Sequence, residues 1–561
     1  MTPAVTPAAA ASPASPLRAD LIAGLTTAVM LIPQGMAYAM LAGLPPVHGL
    51  YASTLPLALY ALLGRSPSLS VGPVAMDSMI VAAGVSALAI SGSANYILLS
   101  ALLAAMMGGF QVLLGLLRAG GAVNFLSAPV LSGFTSAAAL IIATSQLGPL
   151  LGVKLSGAGG GFPSMIQALP GALTHTHWAT AALGAVAVAA LIALKRWLPR
   201  WPAALVVVGL SSVAVWAIGL SAFGVRVVGD IPAGLPSLAL PMFDWGSLRA
   251  LLPTAATLAL VGFAEAYSVA KTLHPKGHPD IDPNRELIAL GAANLGASIV
   301  RGYPVTGGLS RSAVNARAGA QSRWAGVVTF AAVILALLFL TPAFRFVPLA
   351  ALAAIILTAV ASLIDWSMIK RLRVVKRSDL VLLLLTSALT LGVGMAEGLL
   401  GGVAASVLWL AIRQSRPHIA VLGRLPNSQT FRNVLRHPTA QRFDGLLIIR
   451  PDAPLYFGNC QHLRQSITQL SAAMSHPLRA VIIDASAIND LDASGEQMLR
   501  VLIEDLARAD ARLYLAAVRG PVLDVIRRAH LDDALSTPLL HEVNAAVEHA
   551  LSTAPPAPAN P

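Results

Sequence analysis

Over its first three quarters the chain alternates long apolar runs with short polar loops. Apolar segments fall near 21–43, 48–64, 70–91, 96–117, 123–148, 179–194, 203–222, 250–271, 285–300, 304–319, 321–341, 347–364, 379–395 and 397–413. These fourteen segments predict an all-α domain of membrane-spanning helices, although 285–300 and 304–319 fall short of the roughly 20 residues a full span needs. From about 431 the period changes. Gly445–Arg450 and Arg479–Asp484 read as short buried strands. An amphipathic stretch at 493–508 and the run Arg512–Val518 continue a strand–helix–strand alternation. The expected organisation is a disordered tail (1–17), a membrane domain (18–416), a linker (417–430), a small cytoplasmic α/β domain (431–552) and a disordered tail (553–561).

Composition agrees with the pattern. Hydrophobic residues make up 56% of the chain and charged residues 11%, with a mean hydropathy of +0.73. Soluble domains carry roughly 25% charged residues. The apolar runs are too many and too long for a signal peptide. A net charge of +12 could point to nucleic acid, but the placement of the cations points elsewhere. Alternate loops carry Arg65, Arg118, Lys195, Arg196 and Arg200, then Lys271 and Lys276, Arg317 and Arg323. The same side continues with Lys370, Arg371, Arg373, Lys376 and Arg377, then Arg413 and Arg416. Loops of the other set hold only scattered cations: Lys154, Arg226, Arg249, Arg301 and Arg345. That asymmetry follows the positive-inside rule and puts both termini in the cytoplasm; a bacterial inner membrane is the expected location. The single cysteine, Cys460, excludes an intramolecular disulfide. No phosphate-binding loop appears, and His175, His177, His274 and His278 make no convincing metal set. Neither an enzyme nor a cofactor is expected.

Two of the spans are broken. In Ser66-Pro-Ser-Leu-Ser-Val-Gly-Pro73 the prolines and glycine oppose helix, and Val74-Ala-Met-Asp-Ser-Met then turns helical. Pro304 and Gly307-Gly308 do the same before a short helix that starts between Thr306 and Ser310. The two segments enter from opposite sides, so two half-helices aim free N–H groups at one region. Each helix N-terminus carries roughly +0.5 of an elementary charge and is a ready anion site. Paired interrupted spans mark the binding site of repeat-built transporters; alternatively, the breaks merely kink helices for packing.

Ionisable residues add to this. Arg311 stands in the first turn of the second half-helix, where a cation opposes the helix dipole. It either raises the potential at an anion cavity or snorkels to the surface or pairs structurally. Glu265, in Val261-Gly-Phe-Ala-Glu-Ala-Tyr-Ser268, is a candidate proton carrier or a static partner for Arg311. Asp77, one turn into the first half-helix, has a dipole-favoured position and a capping role open to it. Gln34 and Tyr38, four apart, share a helix face able to bind an oxyanion.

The run Pro33-Gln-Gly-Met-Ala-Tyr-Ala-Met-Leu-Ala-Gly-Leu-Pro-Pro-Val-His-Gly-Leu-Tyr-Ala-Ser53 resembles the signature of the sulfate permease family of anion transporters. Val71–Ala75, Ile281–Ile288 and Pro304–Asn315 match further markers, so the resemblance covers the membrane region end to end. It implies 14 spans in two inverted repeats of seven. Spans 1–4 and 8–11 form a core that moves against a gate of 5–7 and 12–14 in an elevator-like manner. It also implies an anion held by Gln34 and Tyr38, by Val74 and Ala75, and by Leu309, Ser310 and Arg311. Glu265 takes the acidic position linked to proton coupling. The aspartate–threonine pattern of sodium-coupled members is not evident, and Arg301 stands where a small residue is common. Asp492-Ala-Ser-Gly495 resembles the loop of STAS domains that carries a phosphorylated serine, which makes Ser494 the matching residue or merely a helix cap.

The function expected from these features is proton-coupled import of a small dicarboxylate such as fumarate, with sulfate or bicarbonate as alternatives. An anion exchanger, an uncoupled channel and a membrane-anchored STAS signalling protein are the rival readings. The resemblance implies a homodimer, and Gly398 with Gly402 permits close helix contact.

Overall fold

The computed structural model describes residues 16–121, 127–153, 155, 161–198, 201–241, 243–274 and 280–553. Lys154, Arg200, Lys276, His278 and nearly all of both expected tails lie outside the described residues. The chain divides into two compact units between Ser406 and Val407.

The first unit is helical. Its elements are α1 (Pro16–Leu41), α2 (Val47–Tyr51), α3 (Leu55–Leu63), β1 (Val71–Gly72), α4 (Ala75–Ser86), α5 (Ala94–Leu116), α6 (Ala128–Leu151), α7 (Gly161–Thr174), α8 (Trp178–Trp197) and α9 (Ala203–Ile218). There follow α10 (Trp245–Thr272), α11 (Pro283–Ile299), β2 (Thr306–Gly307), α12 (Leu309–Arg317), α13 (Trp324–Leu335), α14 (Leu349–Val360), α15 (Trp366–Val375), α16 (Arg377–Gly392) and α17 (Met395–Ser415). Seven stretches are long and apolar enough to cross a membrane: α1, α5, α6, α8, α10, α17 and the helical run Trp324–Phe346. All eight tryptophans are exposed, and five of them open or close a helix, the distribution expected of side chains seated at a membrane–water interface.

The helices pack in two groups. In one, α5 lies against α11 and α10, α11 against α3, and α1 against α12 and α13. In the other, α6 packs on α14 and α16, and α14 on α8. The first group holds helices expected of the core and the second helices expected of the gate; α1 also packs on α14 and α9, and α4 on α6. The signature run has a steric reason within the core: a Cβ on Gly49 would lie 1.9 Å from the carbonyl oxygen of Gly35. Only glycine lets α1 and α2 meet backbone to backbone. Nearby, Arg301 adopts a left-handed φ of 54°, and its carbonyl accepts a hydrogen bond from His48 Nδ1 at 2.6 Å. Gly398 and Gly402 face α16 of the same chain, where their Cβ positions would clash with Thr390 and Thr386. Their spacing therefore serves an internal contact, not a surface for a second copy.

The second unit contains β3 (Ile419–Arg424), β4 (Phe431–Asn433), β5 (Leu446–Pro451), α18 (Cys460–Ala472), β6 (Ala480–Asp484), α19 (Ala493–Arg508), β7 (Arg512–Ala516), α20 (Gly520–Arg528), α21 (Leu531–Ala534) and α22 (Val543–Ser552). The sheet order is β4-β3-β5-β6-β7, with β5, β6 and β7 parallel. Alternate residues of β5 and β6 enter two cores, Leu447, Ile449, Val481 and Ile483 on one face and Leu446, Ile448 and Ile482 on the other. Burial on both faces is why these strands read as continuous apolar runs. β3 lies inside 417–430, expected as linker; it is a paired strand, bonded to both β4 and β5. Six residues with one polar end give too short a period to separate from a linker.

Candidate functional site

The two broken segments meet. β1 and β2 pair antiparallel, Val71 opposite Gly307 and Gly72 opposite Thr306. Each strand runs directly into a short helix, so α4 and α12 leave the pair in opposed directions with their N-termini together. Prolines and glycines forbid helix at the break, and the backbone groups released there must find partners inside the protein. Side chains supply several. Asn294 mimics a strand, accepting from Val305 N (2.8 Å) and donating to Val305 O (3.0 Å). Ser312 Oγ accepts from Ser70 N at 2.9 Å. Asn315 donates to Ser68 O at 3.2 Å, and Thr306 donates to Gly262 O at 2.6 Å.

Arg311 is tied into the same structure. Its side chain is 2% exposed, so it does not snorkel to a surface. Nη1 donates to Pro73 O at 2.6 Å, joining the second half-helix to the residue that precedes the first. Nε and Nη2 are buried and meet no acceptor from the protein. Nη2 lies where a Cβ on Gly308 or Gly72 would come within 3.0 or 3.3 Å of it. Glycine at both positions therefore makes room for the guanidinium. Among the described residues no ion pair joins Arg311 to a carboxylate. Tyr38, Glu265 and Tyr303 lie within its electrostatic reach.

Other predicted residues lie on the elements that meet here. Val74 and Gly308 are the N-caps of α4 and α12, and neither helix has a side-chain cap. The first-turn N–H groups of both helices thus lack the usual side-chain acceptor. Ala75 is buried at the first position of α4, while Leu309 and Ser310 are exposed at the first two of α12. Gln34 and Tyr38 are buried on α1. Glu265 is half-buried on α10, with Oε2 buried and unpartnered. Asp77 is fully buried but does not cap α4, contrary to one role its position offered.

Sequence reasoning missed the parts played by Asn294, Ser312 and Asn315. A polar amide inside the apolar run 285–300 was the available signal for Asn294. A cavity of about 1170 Å³ passes Ala37 and Met79 and reaches Gln146, Thr254 and Glu397, but none of the candidate binding residues lines it. Among the described residues no His, Cys, Asp and Glu cluster could hold a metal ion.

In the second unit Asp492 caps α19, accepting from Gly495 N at 2.7 Å. Ser494 is therefore not the cap; it is exposed at the second helical position. Cys460 Sγ donates to Tyr456 O at 3.0 Å. Burial, with the charge of Asp492 behind it, pushes the thiol up to about 11, so it is an inert thiol near neutral pH.

Residues 17–386 match the sulfate permease family, and 437–548 match the STAS domain. A probable sulfate transporter 4.2 of Arabidopsis thaliana is 37% identical over 526 residues, covering 91% of this chain and 77% of the relative. A probable sulfate transporter of Mycobacterium tuberculosis is 35% identical over 519 residues, covering 92% of each. The murine solute carrier 26 family member A9 anion transporter, in its inward-facing state, superposes with a TM-score of 0.89 over 97% of this chain and 93% of that one; at 24% identity it attests the fold. The transmembrane domain of a cyanobacterial bicarbonate transporter aligns at 26% identity with a TM-score of 0.60, over 70% of this chain and 98% of that one.

Proposed function

The chain belongs to the sulfate permease family and is a multi-pass membrane anion transporter, not an enzyme; from that premise we propose that it imports a divalent oxyanion, sulfate first, driven by protons. The observation that carries this reading is the pair of uncapped half-helices held together by β1 and β2, with two spare donors of Arg311 beside them. A dianion placed there receives first-turn N–H groups from both helices and charge-assisted bonds from Nε and Nη2 of Arg311. Gln34 and Tyr38 face it from α1. The relatives named as sulfate transporters move sulfate ahead of the dicarboxylate that the short side chains at the break first suggested. Glu265 supplies the proton. Its unpartnered Oε2 lies in the electrostatic field of Arg311, so gaining or losing a proton there changes the charge the anion meets. Both termini lie in the cytoplasm, as the loop charges require.

Radiolabelled sulfate uptake into proteoliposomes of the full chain tests this. Uptake rises when an inward proton gradient is imposed, and Glu265→Gln abolishes accumulation driven by that gradient. Sulfate uptake indifferent to the gradient would reject the coupling. Saturable uptake of fumarate without uptake of sulfate would reject the substrate.

A further inference from the structure

Asp77 is, among the described residues, the one acidic side chain whose two carboxyl oxygens are both buried and both without a hydrogen-bond partner. It is the third residue of α4, a few ångströms along the chain from the N–H groups assigned to the anion. Its surroundings are specific. Oδ2 lies against α10: a Cβ on Gly262 would sit 3.4 Å from Asp77 Oδ2 and 3.4 Å from Thr306 Oγ1. The Thr306 hydroxyl cannot relieve the carboxylate, because it already donates to Gly262 O. Glu265 follows Gly262 by three residues, on the same face of α10, and the charges of Asp77 and Glu265 act on one another.

The remaining elements packed on α4 bring little else that is ionisable. α1 carries Tyr38, besides Arg18 and Asp20 near its start, where Asp20 accepts from Gln321 N and the Ser322 hydroxyl. α5 packs Met107 near Gly262 and carries only Tyr96, and α6 has no ionisable residue. Tyr303 stands before β2, with its hydroxyl 3.4 Å from Ser78 Oγ. Arg311 directs its bonded nitrogen to Pro73 O.

An unpaired carboxylate in such a place is costly as an anion, and two neighbouring carboxylates do not both ionise readily. We propose that Asp77 is a second proton-carrying group beside Glu265, so that each divalent anion enters with two protons; this rests on the proton-coupled reading above. Charge balance at the site favours that count. Arg311 and two helix N-termini, each worth roughly half a charge, supply about two positive charges. With both carboxyls protonated this field stands uncancelled and matches a dianion. With both ionised it is neutralised, and the anion loses its hold. Each carboxylate takes one proton from the outer solution, and both protons leave with the anion on the inner side.

The test uses the full chain in proteoliposomes, with the membrane potential clamped at zero and sulfate as the probe. Each coupled proton adds about a tenfold accumulation ratio per unit of pH difference. The wild type is expected to reach about hundredfold per unit, and Asp77→Asn about tenfold. Asp77→Glu, which keeps the carboxyl, retains the steeper dependence. An Asp77→Asn protein with the wild-type dependence overturns the proposal, as does accumulation that follows a sodium gradient instead of pH. If the wild type shows no proton dependence, the coupling reading fails first. Infrared spectroscopy of the purified full chain then decides Asp77 separately. A carboxylic-acid C=O band that disappears in Asp77→Asn and shifts in Asp77→Glu supports a bound proton, and its absence from the wild type overturns it.

Discussion

The N-terminus of α19 in the STAS domain and those of α4 and α12 in the membrane domain solve the same problem differently. At α19, Asp492 turns its carboxylate onto Gly495 N and also accepts from Phe457 N, so the first turn is satisfied from within. At α4 and α12 the caps are Val74 and Gly308, which offer no side-chain acceptor. A helix end facing water can afford either arrangement. At membrane depth, uncapped N–H groups remain only where something else comes to meet them. The difference teaches that an absent cap, in the right place, is as informative as a present one. The two half-helices also differ from each other. The acid in the first turn of α4 has the favourable dipole and no partner; the base in the first turn of α12 opposes the dipole and is anchored on Pro73.

Three substitutions break this contrast. The largest effect is expected from Arg311→Ala, which removes the tie to Pro73 and two donors together. Losing charge-assisted hydrogen bonds worth about 3 kcal/mol lowers sulfate uptake by roughly a hundredfold, read as the initial rate at low substrate. Val74→Asp makes α4 resemble α19 by installing a resident carboxylate acceptor. Competition for the same N–H groups is expected to raise the half-saturating sulfate concentration by at least about tenfold, equivalent to about 1.4 kcal/mol. The converse change, Asp492→Ala, uncaps α19 and costs about 1 kcal/mol. The measurement is amide exchange at Gly495 and Phe457 in the full chain, where protection falls by about fivefold, with no comparable change expected in β5 and β6.

Much of this was legible in the chain, for reasons that can be named. Apolar runs disclosed the helices because a lipid-facing segment must be apolar along its length. The breaks at 66–73 and 304–308 could be seen because proline and glycine act locally, on their own backbone. α19 read correctly at 493–508 because its amphipathic period was unmixed. β3 did not, since a short strand takes its identity from β4 and β5 on either side. Asp77 also misled: a dipole argument uses one helix only, and could not foresee that the carboxylate faces Gly262 of α10 rather than its own backbone.

The sequence by itself determined that this is a membrane transporter with two interrupted spans, an anion-favouring helix end at each, and one arginine and two acids at depth. Those properties belong to single segments, where periodicity, proline and charge act over a few residues. Tertiary structure alone decided that Val71 pairs with Gly307, that Arg311 reaches Pro73, and that Asp77 of α4 faces Gly262, one turn from Glu265 on α10. Each of these joins residues far apart in the chain. Such contacts are fixed by which helices pack together and by the need to satisfy every buried polar group, and no local pattern records either.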